Sequence, residues 1–470
     1  MSLEMESEEE NSKEKIKEQP EDQSSTKENR IKRTLNVAWP AVLESFFVAV
    51  VGIIDSMMVS ELGDYAVAAV GLTIQPKFIG LAMFIAVNIA VSALVARRKG
   101  QGDKEGACRI LTSALAFVLV AGMVVSMLSL VLADPIIHLV GSQPDTHKAA
   151  VEYFRIIMGG ILFTIISLVI NAAQRGSGNT KIAMRTNLTS NLVNVCFNYL
   201  LIKGRFGFPE LGIRGAAIAT VLGTIVACGM SIMSLFHKDS FVSIPFIIQQ
   251  KIKVTSEALK QIFNLASNVF VEQIFLRIGF LSVSVMAAKL GTQAYAAHMV
   301  GMNVMSLSFS FGDGMQVAAV TLIGQSLGQG KPDLAQKYGF ICQKIGNIIS
   351  VILSLLYLLL GKWFFSLYFD EAETIAIGVK IMQVMVIIVL MQVAQVIYMG
   401  CLRGAGDVRF TTIASIISVT FIRPLTSYMF AYLLGFGIIG VWYGCVADQL
   451  CRLILTTWRF KSGKWAKIKI

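Results

Sequence analysis

Long apolar runs, separated by short polar, glycine-rich or basic stretches, set the pattern of this chain. Nothing ionisable stands between Arg109 and Asp134, and the stretches 345–361 and 381–402 are likewise uncharged. An apolar run of more than about 18 residues is long enough to cross a hydrocarbon layer of roughly 30 Å as a helix. Helix is the required form, because lipid offers no partner to exposed backbone groups. The pattern predicts twelve spans, near 36–60, 66–96, 110–133, 149–174, 186–202, 215–236, 261–288, 294–325, 338–361, 374–402, 410–434 and 438–458. The fold class expected is therefore an all-α integral membrane protein.

Charge placement sharpens that picture. The segments 97–109, 175–185, 238–260, 331–344, 403–409 and 459–469 carry 22 Lys and Arg, whereas the alternate connections 61–65, 134–148, 203–214, 289–293, 362–373 and 435–437 carry six. That asymmetry follows the positive-inside rule and puts both termini in the cytoplasm, with the chain in a plasma (inner) membrane. The composition agrees, at 55% apolar and only 15% charged, against roughly 25% charged in soluble domains. The net charge of +11 is thus accounted for by topology and membrane lipid, and no nucleic-acid partner is expected. Residues 1–34 are dense in charge and poor in large apolar side chains. They lack the apolar core of a signal peptide and are expected to form a disordered cytoplasmic tail. Seven cysteines and four histidines form no ligand-like spacing, so neither a disulfide framework nor a zinc site is expected.

The two halves of the chain superimpose at a shift of 228. Glu44 falls on Glu272, Leu62-Gly63 on Leu290-Gly291, Gly100-Gln101-Gly102 on Gly328-Gln329-Gly330, and Arg175-Gly176 on Arg403-Gly404. After a loop three residues shorter in the second half, Gly212 and Gly215 fall on Gly437 and Gly440. Separated anchors at one shift indicate an internal duplication. The expected organisation is an amino-terminal lobe at 35–238, a linker at 239–259, a carboxy-terminal lobe at 260–460 and a basic tail at 461–470. Six spans per half make the repeat parallel, and such architecture carries solutes along the interface of two rocking lobes.

Polar residues inside the spans are the candidate chemistry. Asp55 lies within the first span, where a carboxylate costs about 2.5–3.5 kcal/mol on insertion scales and marks a functional site. A carboxylate so placed can alternate between protonated and cation-bound forms. Pro40, fifteen residues earlier, removes a backbone donor and offers a helix kink. Asn187, Asn191, Asn194 and Asn198 recur every three or four residues and line one face of the fifth span with amides. That face needs a partner helix or a wet cavity, and the deeper pair, Asn194 and Asn198, suits a cation or substrate. Glu44 and Glu272 occupy equivalent places in the first helix of each half and suit a gate or lobe interface as well as ligand binding. Arg277, five residues after Glu272, is a candidate internal counter-charge. Asp313, between two glycines, is a candidate second titrating site. Met299, Met302, Met305, Met315, Met382, Met385 and Met391 offer soft packing, adaptable enough for a promiscuous pocket. No catalytic triad, phosphate loop or carboxylate pair stands in the short connections, so no enzyme activity is expected.

Taken together these residues resemble the multidrug and toxic compound extrusion (MATE) transporters. The likeness runs from about 36 to 460 and rests on WPAVLESFFVAVVGIIDSMMVSELG, ALVARRKGQGD, AAQRGSGNTK, LGIRGAAIAT, VEQIFLRIGF, LIGQSLGQGKPDLA, CLRGAGD and IRPL in that order. It implies two six-helix bundles with alternating access, and export of small organic cations driven by H+ or Na+, with no cofactor and a monomer sufficient for transport. It implies that Asp55 is the coupling carboxylate, in a cluster with Asn171, Asn194, Asn198 and Thr220, and that Na+ could sit at Asp55, Asn194 and Asn198. In many bacterial members the position of Asn198 is an aspartate, so one carboxylate stands here in place of two. A sodium-coupled branch also pairs a seventh-helix Glu with a tenth-helix Asp. Here the Glu is one turn nearer the cytoplasm, at Glu272, and the tenth-helix position is Gln392, leaving Asp313 as the substitute. The competing reading is a flippase of lipid-linked saccharide or peptidoglycan precursors. Its pyrophosphate cargo demands several arginines, and only Arg277 and Arg423 stand deep in the spans.

Overall fold

Each apolar run winds into a helix, and no strand occurs among the described residues. The structure, a computed structural model, describes residues 26–237 and 240–468. The long helices are α1 (Lys27–Ser60), α2 (Asp64–Gln101), α3 (Lys104–Val131), α4 (Pro144–Gly159 with Ile161–Gly176), α5 (Thr180–Leu201) and α6 (Gly212–Ser234) in the first half. The second half holds α7 (Ser256–Ala288), α8 (Thr292–Gly328), α9 (Pro332–Ser366), α10 (Ala372–Gly404), α11 (Val408–Leu433) and α12 (Gly437–Lys461). Nine of them are individually long and apolar enough to cross a membrane, and the two arms of α4, bent by 46°, make a tenth. The remaining two, α5 and α8, have 22 and 37 residues. They are long enough to cross at 1.5 Å per residue but more polar, because α5 carries the asparagine stripe and α8 carries Asn303, Ser306, Ser310 and Asp313. Every span expected from the sequence overlaps one of these helices.

The duplication is visible in the backbone. Gly102 and Gly330 close the turns after α2 and α8 at φ +74° and +71°, and Gly178 and Gly406 close those after α4 and α10 at +95° and +88°. These are left-handed values that a side chain would strain. Two ion pairs repeat the symmetry: Arg175 to Glu44 in the first half, Arg403 to Glu272 in the second.

The two apolar cores are interleaved. One is built from α2, α3, α4 and their neighbours but includes Ala258, Ile262, Leu265, Ala266 and Val269 from the start of α7. The other is built from α8, α9, α10 and α12 but includes Val37, Ala38 and Val42 from the start of α1. Thus α1 and α7 each cross from one core to the other, and Glu44 and Glu272 mark the crossing points.

At the basic end the lobes are closed on each other. Gly100 and Gly328, symmetry mates, meet so tightly that a Cβ on either would fall 2.0–2.2 Å from a carbonyl oxygen, of Gln325 and Arg97 respectively. Arg33 donates to Gln325 Oε1 at 2.9 Å, Gln325 donates to Gly176 O at 3.1 Å, and Thr321 donates to Arg175 O at 2.9 Å.

One boundary differs from the sequence expectation. The tail expected over 1–34 lies outside the described residues as far as 25, but helix starts at Lys27. Thr26 caps it, accepting from Asn29 N at 3.3 Å, and Thr34 is buried. The basic tail after 461 is docked, because Trp465 stacks on Phe460 at 5.1 Å and donates to its carbonyl at 2.7 Å. The indole is buried while Lys464 and Lys467 on either side stay exposed, so docking leaves the lysines solvated. In α11 the turns widen to π-helix at Ile416–Ile422 and Met429–Leu433, around Pro424. A proline that cannot donate to the helical ladder is a common cause of such widening.

Candidate functional site

Asp55 is half-buried on α1, one turn before the helix ends. Asn198 of α5 donates to its Oδ1 at 2.8 Å. With the Asn194 amide turned so that its nitrogen faces the carboxylate, Asn194 donates to both Asp55 oxygens at 2.8 and 2.9 Å while its own oxygen accepts from the Thr220 hydroxyl and backbone N–H of α6 at 3.1 Å. The three-four asparagine spacing on α5 makes this possible, since residues 194 and 198 stack on one face. The carboxylate therefore rests on neutral amides. Among the described residues no ion pair locks it, and Lys77 of α2 acts on it only through space.

The acceptor side of the cluster is under-used. Asn198 Oδ1 is buried with no hydrogen-bond donor. Asp55 Oδ1 and Oδ2 and Asn198 Oδ1 offer the hard oxygens that Na+ and protons seek, while the Thr220 hydroxyl serves the Asn194 amide. Asn198 also lines a groove of about 600 Å³ between α1 and α5, which ends at the exposed Glu61–Lys203 ion pair (2.6 Å). That pairing holds the Glu61 carboxyl below its ordinary range, chiefly through the hydrogen bond from Lys203. No group of three or more His, Cys, Asp or Glu that could hold a metal occurs among the described residues.

The other candidates fall elsewhere. Asn171 is set apart from Asp55, bonded to Ser167 at 3.4 Å and accepting from Ser231 at 3.2 Å. Glu272 is 1% exposed and held by Arg403 at 2.8 and 2.9 Å. The counter-charge expected from Arg277 is thus supplied by Arg403, because α10 presents its last turn to the crossing point of α7, whereas Arg277 points to the Phe78 ring, 4.4 Å away. Asp313 is exposed on the face of α8 that also carries Asn303 and Ser306, within electrostatic reach of Arg403. Gln392 is fully buried in α10 with neither amide atom partnered, as is Gln395 one turn on. Pro40 is buried in α1 four residues before the crossing point. Met299 and Met302 line a cavity, whereas Met305, Met315, Met382 and Met385 are core.

Lys77 was missed by the sequence reading. It stands alone in the 66–96 span, directly after Pro76. A single intramembrane lysine is the kind of signal that singled out Asp55.

A duplicated helical bundle, apolar outside, with a carboxylate seated on amides inside one lobe, defines the class: an integral membrane transporter. Comparison with known proteins gives the family. The MatE family model matches twice, at 40–200 and 269–429, and the chain belongs to that family, in its bacterial type. The two matches start 229 residues apart, close to the internal shift of 228. A probable multidrug resistance protein NorM of Thermotoga maritima is 26% identical over 93% of both chains. The transporter YisQ of Bacillus subtilis, whose role is uncharacterised, is 24% identical over 92% of this chain and 94% of its own. A solved outward-facing structure of a multidrug resistance MATE family transporter superimposes with a TM-score of 0.85 at 22% identity, over 93% of this chain and 97% of the other. A MOP superfamily transporter from Pyrococcus furiosus, described as having a binding pocket of reverse polarity, superimposes with 0.86 at 22% identity, over 94% and 97%. Both likenesses establish the fold.

Proposed function

We propose that this chain is a cation-coupled antiporter, working on H+ or Na+, that exports small amphipathic organic molecules by alternating access. The observation that carries the reading is the Asp55 cluster: a carboxylate on two amide donors, beside a buried amide oxygen that lacks a donor. A proton or Na+ arriving there neutralises the carboxylate and gives the orphan oxygen a partner. Its departure restores a negative charge that the lobe must solvate. This difference in solvation can bias which way the lobes lean. Closure at the basic end, through Gly100, Gly328, Arg33 and Gln325, supports an outward-facing state when the basic end is taken as cytoplasmic.

Multidrug resistance names among the relatives support a drug-like cargo, and the family resemblance makes organic cations the first to test. We place both termini in the cytoplasm and the chain in the inner membrane, on the charge asymmetry of its connections. One chain contains both lobes and the cleft, so a monomer suffices. The test is transport of a fluorescent organic cation in proteoliposomes under imposed H+ or Na+ gradients, comparing wild type with Asp55→Asn. The reading requires one gradient to drive transport and the variant to lose that drive. Transport indifferent to both gradients would overturn it.

A further inference from the structure

A cavity of about 730 Å³ opens between α2 of the first lobe and α7, α8 and α11 of the second. That volume is in the range of sites for drug-sized ligands, roughly 300–1,000 Å³. Its wall is mainly apolar, with Phe78, Phe270, Ile278, Met299 and Met302, and its charged lining residues are Arg277 and Arg423, with no carboxylate.

The two arginines are short of negative charge. Arg277 lies over the Phe78 ring and has no carboxylate partner among the described residues. Arg423 is 1% exposed and must share Asp448 with Arg452. Arg452 takes that carboxylate through two hydrogen bonds of 3.0 and 2.9 Å. Arg423 is left with a 3.9 Å approach to Asp448, a bond to Cys445 Sγ, the Phe280 ring at 4.9 Å, and an Nε with no acceptor. His298, also in the lining, has an unpartnered Nδ1. At the helix crossings the pairing is one to one, Arg175 with Glu44 and Arg403 with Glu272. A surplus of buried positive charge is costly unless an anion compensates it, and a guanidinium offers planar donors suited to carboxylate, sulfonate or phosphate.

We propose that this cavity binds an amphipathic anion, its apolar body against the phenylalanines and methionines and its acidic head at Arg277 and Arg423. The proposal rests on the export reading for what becomes of the ligand, but binding itself needs no coupling at Asp55. The anion has two sources, a solute or the headgroup of an acidic lipid.

The experiment is equilibrium binding to purified protein in nanodiscs. It uses two fluorophores with one ring system, a naphthalene sulfonate and a naphthyl trimethylammonium. Wild type should bind the sulfonate at least tenfold more tightly than the ammonium. Arg277→Gln should weaken the sulfonate by roughly tenfold or more, the loss of a charge-assisted hydrogen bond, and leave the ammonium unchanged or tighter. Arg277→Lys should retain most sulfonate binding, which separates lost charge from lost fold. Equal or preferred binding of the ammonium by wild type overturns the proposal. So does an Arg277→Gln protein with an unaltered melting curve and sulfonate affinity within twofold of wild type. Sulfonate binding that persists in Asp55→Asn supports a site separate from the coupling cluster, even where gradient-driven transport is lost. Repeating the titration with phosphatidylglycerol in place of phosphatidylcholine distinguishes the sources. Competition by the acidic lipid supports the site with a lipid headgroup as its occupant, and unchanged binding supports it with a solute.

Discussion

At equivalent places in the two lobes, 228 residues apart, stand Asp55 and Val283, Lys77 and Met305, Ala49 and Arg277, Val195 and Arg423. The first lobe puts its chemistry into a carboxylate on amides, with one lysine in electrostatic range. The second replaces that carboxylate with valine and gathers arginines around a single aspartate, Asp448. What both keep is the pair at the helix crossing, Glu44 with Arg175 and Glu272 with Arg403. Duplicated skeletons thus keep the charges that hold the crossing helices and diverge in the charges placed within each lobe. In this molecule the first kind is structural and the second carries the proposed transport chemistry.

Four experiments can break or sharpen that division. The largest effect belongs to Asp55→Asn, which should lower gradient-driven transport by about a hundredfold while leaving expression and melting temperature near wild type. The same change at Asp313 should cost less than tenfold, and an equal loss at both would make the lobes functionally alike. Next, Gly324→Val puts a side chain where a Cβ would already fall 2.7 Å from the Ala96 methyl, so the two lobes can no longer seal at the basic end. Transport should fall by roughly tenfold or more, and an unchanged rate would show that this seal is no part of the cycle. Third, Glu272→Gln leaves Arg403 buried without its partner, a loss of about 3–5 kcal/mol for a broken buried pair. Glu44→Gln should cost less, because the Arg175 side chain is more exposed (15% against 10%), and thermal unfolding in detergent would rank the two. The smallest effect is expected of Lys77→Met. Removing a neighbouring positive charge should tighten apparent affinity for the coupling cation severalfold in initial-rate measurements, and an unchanged or weaker affinity would take Lys77 out of the site.

Much of this was legible from the residues alone. The spans, their duplication and the meeting of Asp55 with Asn194, Asn198 and Thr220 rest on local periodicity, internal repetition and family likeness, which a sequence displays directly. The partners of buried charges were not. Nothing in the neighbourhood of Glu272 reveals that α10 brings Arg403 to it, and Arg277, only five residues away, was the nearer but wrong choice. Asn171, assigned to the Asp55 cluster by resemblance, instead bonds to Ser167 and Ser231, because its turn of α4 faces α6. Lys77 was hidden by its setting, since one charge barely lowers the hydropathy of a 38-residue helix. The exchange of helix starts between cores also escaped notice, because apolar faces alone do not say which partner they will meet.

That exchange bears on how such a chain arose. A six-helix half has an unfinished core until the opening turns of another half's first helix fill it, as α1 and α7 do for each other here. The arrangement is that of a domain-swapped dimer whose two subunits have been tied together by the segment around residue 250. Cutting the chain there should yield fragments that are stable only when both are present in the same bilayer.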